Sequence, residues 1–350
     1  MDRINIQGYK SLADVTLDIK PINILIGGNG AGKSNFLSFF DLLKAYEEGR
    51  VSPFVEKRGG LNRFLFHGEK ETDEISYRIS FANSHATIGG SIAAGYGGSS
   101  EIVSTSVGLG RDQDKNAPFG FESEMKNGSV EEKGKEYLRS VSNYHFHDTG
   151  SSSPFSRSSH IENDIYFLYS DGSNIAAYLF HIQETNRKAY DRIVKNIQSI
   201  APYFLDFFLQ PIEGKFIRLQ WRDKYSEYIY GVNDLSDGTI RFVALSVLFL
   251  QPKLPRVLII DEPELGLHPV AIIKLAGLIK VAAAKGCKVI AATQSPALVD
   301  QFIAEDIVTV DNENGASRFR RLDESQLKLW LEDYSLGELW ERNVIDKAQP

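Results

Sequence analysis

An α/β fold built on a parallel sheet, with an antiparallel strand region and an inserted, partly helical lobe, follows from three features of this sequence. The apolar segment INILI, Ile22 to Ile26, reads as a buried strand and runs directly into a glycine-rich stretch with a helix-like pattern behind it. A second apolar run, VLII, ends in the carboxylates Asp261 and Glu262. Beyond it lie a helical stretch from Pro269 to Val281 and then KVIAATQS, another apolar strand ending in polar residues. Strand, helix, strand at this spacing is the parallel unit.

Composition sets the frame. The chain has 350 residues, 42% hydrophobic, 11% aromatic and 24% charged, enough for a sizeable core in one large domain with an insertion or in two smaller ones. The expected division is a single head, with residues 1–85 and 216–350 as core and 86–215 as inserted lobe. Lys and Arg total 39 against 46 Asp and Glu, so the net charge of -7 excludes a chain coated in positive charge while leaving room for a local basic strip that meets DNA. Cys287 is the one cysteine, which excludes a disulfide framework and a Cys-based zinc site and suits a reducing compartment. The opening MDRINIQGYKS lacks an apolar signal core, and no run approaches the ~20 apolar residues needed to span a bilayer. No membrane insertion and a cytoplasmic location are expected.

Along the chain, Asn5 to Ile26 shows short apolar segments broken by Gly8, Asp14 and Pro21. Asn35 to Leu43 carries Phe36, Leu37, Phe39, Phe40, Leu42 and Leu43, the content of a helix packed tightly on a sheet. EISYRISFA, Glu74 to Ala82, alternates as an antiparallel strand does, and the Gly- and Ser-rich run from Ile88 to Ser100, containing IGGSIAAGYGG, reads as a flexible tip. A charged, helix-permissive piece, Phe121 to Ser140, and the Ser-rich loop Gly150 to Ser159 follow. Tyr190, Ile193, Ile197 and Ile200 recur at three and four residues and predict an amphipathic helix. FIRLQW (Phe216 to Trp221), EYIYGV (Glu227 to Val232) and DIVTV (Asp306 to Val310) read as strands, and the tail as short helices with Trp330 and Trp340 in packing or partner docking. No repeat or sustained heptad is present, so a long coiled-coil arm has no room.

GGNGAGKS, Gly27 to Ser34, matches the G-x-x-x-x-G-K-S phosphate-binding pattern with the required strand before and helix after. A triphosphate is a dense cluster of negative oxygens, and backbone N–H groups can converge on it only where side chains stay clear. Gly27, Gly30 and Gly32 meet that condition, with Asn29 on the same loop. Lys33 is expected on the β and γ phosphates of ATP and Ser34 on Mg²⁺. At the end of the second strand, where ligands of open α/β sheets sit, Asp261 is expected to bind Mg²⁺ and Glu262 to polarise the attacking water. Glu264 reads as a solvated loop start.

LSDGTIRF, Leu235 to Phe242, resembles the LSGGQ-type signature of ABC ATPases, most closely the RecF and SMC-like form in which LSxG is followed by an arginine. The resemblance implies an ABC-ATPase-like P-loop NTPase head. Ser236 and Gly238 would face the nucleotide of an opposite subunit, and Arg241 would brace the loop or reach across. IQGYKSL looks like the opening of that group, and PRVLIIDEPELGLHP with KVIAATQSP is similar to the AAA family ATPase branch grouped with OLD-type nucleases. His268, in the loop beyond Glu262, is then an interface residue. Gln294 fills the switch position that the family gives to histidine. Glutamine donates a hydrogen bond but takes no proton near neutral pH, so ATP binding is expected and turnover is expected to be slow. No residue is assigned to the Q-loop, because Gln183 follows the apolar run IAAYLF and reads as helix interior.

The function implied is an ATP-hydrolysing head that dimerises face to face around two ATP, alone or in a larger ring. It would act as a switch or clamp in bacterial DNA repair or anti-phage defence with a separate effector such as a nuclease. Two alternatives stay open: a non-catalytic scaffold held by ATP, and a transporter-type ATPase subunit. His145, His147, Asp148 and His160 lie beside the Ser-rich loop and read as a hydrogen-bonded turn in preference to a metal set. Arg3 and Lys10 are open to phosphate, to DNA or to solvent.

Overall fold

A computed structural model describes residues 1–81, 86–93, 105–108, 136–150 and 152–347. The chain forms two compact units, Met1–Ser142 with Ile303–Pro350, and Asn143–Phe302.

The first unit opens with β1 (Arg3–Tyr9), β2 (Leu12–Asp18) and β3 (Ile22–Ile26), then α1 (Lys33–Glu47) and α2 (Val51–Lys57). β4 (Glu74–Phe81), β5 (Ala86–Ala93) and β6 (Thr105–Gly108) follow. An antiparallel sheet in the order β2-β1-β4-β5-β6 results. Its side chains pack on α1: the rings of Tyr9 and Phe39 meet at 5.3 Å and those of Phe39 and Tyr77 at 5.6 Å, edge to face. The expected tip at 88–93 is instead part of β5. Glycine punctuates turns in local reading, but here a Cβ at Gly90 would lie 2.9 Å from Tyr77 Oη, so the glycine makes room for a ring on the neighbouring strand. Residues 94–100 of that run, and 121–135 of the charged piece, lie outside the described residues.

β7 (Val141–Tyr144) spans the boundary in sequence. In the second unit β8 (Ser159–His160) precedes the helices α3 (Ile175–Thr185) and α4 (Arg187–Gln198). α4 buries Tyr190, Ile193 and Ile197 of the predicted stripe, together with Ala189 and Val194, while Ile200 lies beyond its end; the helix is pinned to the later helix α5 (Asp237–Leu250) by Asn196 Nδ2 donating to Ser246 Oγ at 2.9 Å. Gln183 lies within α3. The expected strand Phe216 to Trp221 is two: β10 (Phe216–Ile217) pairs with β8, while β11 (Gln220–Asp223) pairs with β9 (Phe204–Phe207) and β12 (Ile229–Gly231). β13 (Val257–Asp261) and β14 (Lys288–Ala292) are parallel and joined by α6 (Pro269–Ala284). α7 (Pro296–Val299) follows directly.

The chain then returns to the first unit. β15 (Ile307–Glu313) pairs parallel with β3 and antiparallel with β16 (Ala316–Arg321), so this sheet is mixed. The short helices α8 (Glu324–Leu327), α9 (Leu336–Glu341) and α10 (Val344–Lys347) close the chain. Trp330 is 47% exposed, resting on Tyr334 and not in the core. Among the described residues no helix is long and apolar enough to cross a membrane.

Candidate functional site

β3 is buried along its whole length, and the backbone must leave it, turn and start α1 within six residues. Positive φ at Gly27 (150°), Gly30 (79°) and Gly32 (114°) makes that turn. Gly27 and Gly32 also lack space for a side chain: a Cβ would overlap Val310 O at the first and Ser317 Oγ at the second. Lys33 is buried, and its Nζ donates to Gly27 O at 2.6 Å and Gly28 O at 3.1 Å. Asn29, Gly30 and Ser34 form the exposed rim. Two residues that the sequence reading missed brace the loop. Ser317 Oγ donates to Ala31 O at 2.6 Å and pairs with Ser11 Oγ at 2.7 Å, and Ser11 Oγ accepts from Asn35 Nδ2 at 2.8 Å. The only local signal was the YKS run containing Ser11, since its partner is 306 residues away.

In the second unit, Asp261 and Glu262 stand half-buried at the carboxyl end of β13. Glu262 has φ of 40°, the left-handed region that costs a non-glycine residue free energy, and its N–H donates to Ala292 O at 2.9 Å. From the end of the neighbouring strand, Gln294 Nε2 donates to Glu262 Oε1. The structure therefore brings the two expected catalytic side chains together.

Ser236 is the N-cap of α5: its Oγ accepts from Thr239 N–H at 3.3 Å. The close approach that Gly238 permits in this unit is to the carbonyl of Gly266. Arg241, assigned from the sequence to the nucleotide or to bracing, is spent inside the unit. It is 5% exposed and donates from Nε to Phe146 O (2.9 Å), from Nη2 to His147 O (3.0 Å) and from Nη1 to Leu265 O. His268 is exposed and caps α6, its Nδ1 accepting from Val270 N–H at 3.3 Å with Pro269 in the first helical position.

The sequence profile of a family described as "AAA domain, putative AbiEii toxin, Type IV TA system" matches residues 22–300. The chain belongs to this AAA-domain family. A search of curated proteins returns no match. Among solved structures, it is similar to an SMC head bound to the C-winged helix domain of ScpA. The TM-score is 0.64 at 14% identity, covering 93% of this chain and 99% of that one. It is also similar to the SMC head domain with an extended coiled coil bound to the C-terminal domain of ScpA from Pyrococcus furiosus. There the TM-score is 0.60 at 14% identity, covering 95% of this chain and 98% of that one. These likenesses show the fold, an α/β P-loop NTPase head with mixed sheets and helical insertions.

The residues of this AAA domain suit a magnesium nucleotide. The loop from 27 to 34 keeps its exposed rim free of bulky side chains, and hydroxyl and carboxylate oxygens are the hard donors Mg²⁺ takes. Among the described residues no group of three His, Cys, Asp or Glu could hold a metal, and none is required, because Mg²⁺ is commonly bound by one or two protein oxygens together with phosphates. Two of the residues read from the sequence as a hydrogen-bonded turn do accept local backbone bonds. Asp148 Oδ1 accepts from Gly150 N–H at 3.2 Å, and His160 Nδ1 accepts from Glu162 N–H at 3.2 Å. Arg3 pairs with Asp18, and Lys10 Nζ donates to Ser38 Oγ at 2.9 Å against the rings of Tyr9 and Phe64. Burial pushes the Cys287 thiol up to about 12, which makes it inert.

Glu264 departs from its expected place in solvent: it is buried, and burial lifts its carboxyl above the usual carboxylate range against the opposing hydrogen bond from Thr293. An acid whose pKa rises on folding favours the folded state fully below its unfolded value, and that advantage is lost as pH rises through the folded value. Glu264→Gln removes the loss. Its melting temperature is expected to exceed the parent's at about pH 8, with the gap closing as the pH falls to about 4, as thermal melts across pH will read.

Proposed function

We propose that this AAA domain is an ATPase head in which two copies close face to face over two Mg²⁺·ATP, opening and closing as a switch for a separate effector. The carrying observation is the Glu262–Gln294 pair at the ends of two parallel strands, in a chain that also bears the phosphate loop 27–34. Lys33 is assigned to the β and γ phosphates, Ser34 and Asp261 to Mg²⁺, Glu262 to polarising water, and Gln294 to the γ phosphate or that water. Ser236 and Gly238 face the opposite copy's nucleotide. Leu265, Val270 and Ile273, near His268 in sequence, are exposed at 48, 49 and 56%, apolar surface of the kind that an interface covers.

The setting we favour is bacterial, cytoplasmic DNA repair or anti-phage defence, on the OLD-like and RecF-like branch. A toxin of a toxin–antitoxin system in the family's description accords with defence. The similar SMC head is bound to a winged-helix domain, which accords with a partner protein, nuclease or other, on a head of this fold. DNA would meet a local basic strip. A second reading has its own support: Gln294 takes no proton and its amide engages Glu262, as a non-catalytic scaffold held together by ATP would allow.

Steady-state ATP turnover, measured across protein concentrations with and without linear duplex DNA, decides between them. Turnover rising more than proportionally with protein, stimulated by DNA and absent from Glu262→Gln, is the expected result. Retained ATP binding with turnover no greater than that variant's establishes the scaffold instead.

A further inference from the structure

Glu264 has no role in the hydrolysis scheme above, yet it is 7% exposed. Its Oε1 accepts from the Thr293 hydroxyl and from the Gln294 backbone N–H at 3.4 Å. Thr293 is fully buried, and its Oγ1 accepts in turn from Ser295 N–H at 2.9 Å. One carboxylate oxygen thus anchors Thr293 and Gln294 directly, and Ser295 through the Thr293 hydroxyl, in the turn that leaves β14. The other oxygen, Oε2, is buried without a partner among the described residues. Burying a carboxylate with half its hydrogen-bonding capacity unmet is costly, and such groups in native proteins call for an explanation other than stability.

The anchored turn carries Gln294, whose side chain donates to Glu262. Glu262 in turn bonds through its N–H to Ala292 O at 2.9 Å, immediately before the turn. Glu262, Pro263, Glu264, Thr293 and Gln294 therefore close a ring of covalent and hydrogen bonds. Within it, Glu262 holds a left-handed backbone conformation that a free loop would relax. A Gln side chain has three rotatable bonds, so its aim depends on how firmly its backbone is held.

We infer that Glu264 is a positioning residue: by fixing the Thr293–Gln294 turn it holds the Gln294 amide against the Glu262 carboxylate. Its catalytic consequence rests on the reading of Glu262 as the residue that polarises water. Glu264 acts through Gln294, so its removal lowers kcat and spares ATP affinity.

Two readouts on the full-length chain test this. Amide hydrogen exchange at Gln294 is expected to rise about tenfold in Glu264→Ala and to return to the parental rate in Glu264→Gln, which keeps the acceptor oxygen. ATP turnover is expected to fall about tenfold in Glu264→Ala at unchanged ATP affinity, to recover in Glu264→Gln, and to fall no further when Glu264→Ala is added to Gln294→Ala. Unchanged exchange at Gln294 in Glu264→Ala, or equal kcat losses in both backgrounds, overturns the inference. Should Glu264→Ala exchange throughout the strands, Thr293→Val removes the bridging hydroxyl at nearly constant shape, and an unchanged Gln294 amide there overturns it equally. Parental turnover no greater than that of Glu262→Gln would defeat the hydrolysis reading alone, and the exchange arm would still decide what holds Gln294.

Discussion

Glu262→Gln will lower kcat for ATP by roughly 10²–10⁴-fold, the range that a positioned general base contributes, with ATP affinity within a few-fold of the parent. The variant keeps the shape of the side chain and its Oε1, so the Gln294 amide retains an acceptor, and the backbone bond from residue 262 to Ala292 O is untouched. On the proposed function, what disappears is the negative charge that would draw a proton from water. The phosphate loop is built from Gly27, Gly30, Gly32 and Lys33, all of which the variant leaves unchanged. Single-turnover hydrolysis beside equilibrium nucleotide binding separates the two effects. A loss of binding equal to the loss of rate would mean that Glu262 supports the nucleotide and not the chemistry.

How far this pair was visible in the sequence depends on the range of the interactions that make it. The strand, loop and helix around Lys33 were legible because their signals are local: an apolar run, glycines where φ is positive, then apolar residues at helical spacing. The ends of β13 and β14 were legible for the same reason. Glu264 was not, because Asp-Glu-Pro-Glu reads as polar while the burial of its last residue is set by Thr293, 29 residues on. Arg241 was half legible. A cation one turn into a helix suggests an anion, whereas the three carbonyls it satisfies come from Leu265 and from Phe146 and His147, about 95 residues earlier. The same limit split the expected strand at Phe216: its two ends alternate alike, but their partners, Ser159–His160 and Phe204–Phe207, belong to different sheets.

Gly238→Ala sets a local preference against a distant contact, and the contact is expected to win. By helix propensity alone, alanine in the first turn of α5 would stabilise the chain by up to about 1 kcal/mol. Its Cβ, however, would come closer to Gly266 O than the 3.0 Å that real Cβ atoms respect, and that obstacle is backbone, not a side chain that can swing aside. The loop has little freedom to retreat, since Arg241 holds the preceding carbonyl, Leu265 O, and Gly266 is itself turned at φ of 74°. Overpacking of this kind costs about 1–3 kcal/mol, a fall of roughly 2–12 °C in melting temperature at the 2–4 °C per kcal/mol of domains this size. On the proposed function ATP turnover should drop as well, because the displaced Gly266 segment belongs to the loop that begins at Glu262 and lies against α5. Gly277→Ala is the control. The same substitution in α6, with nothing within 4 Å of the new methyl group, should raise the melting temperature. If both variants melt higher than the parent, Gly238 is not held by Gly266, and α5 and the Glu262 loop move independently.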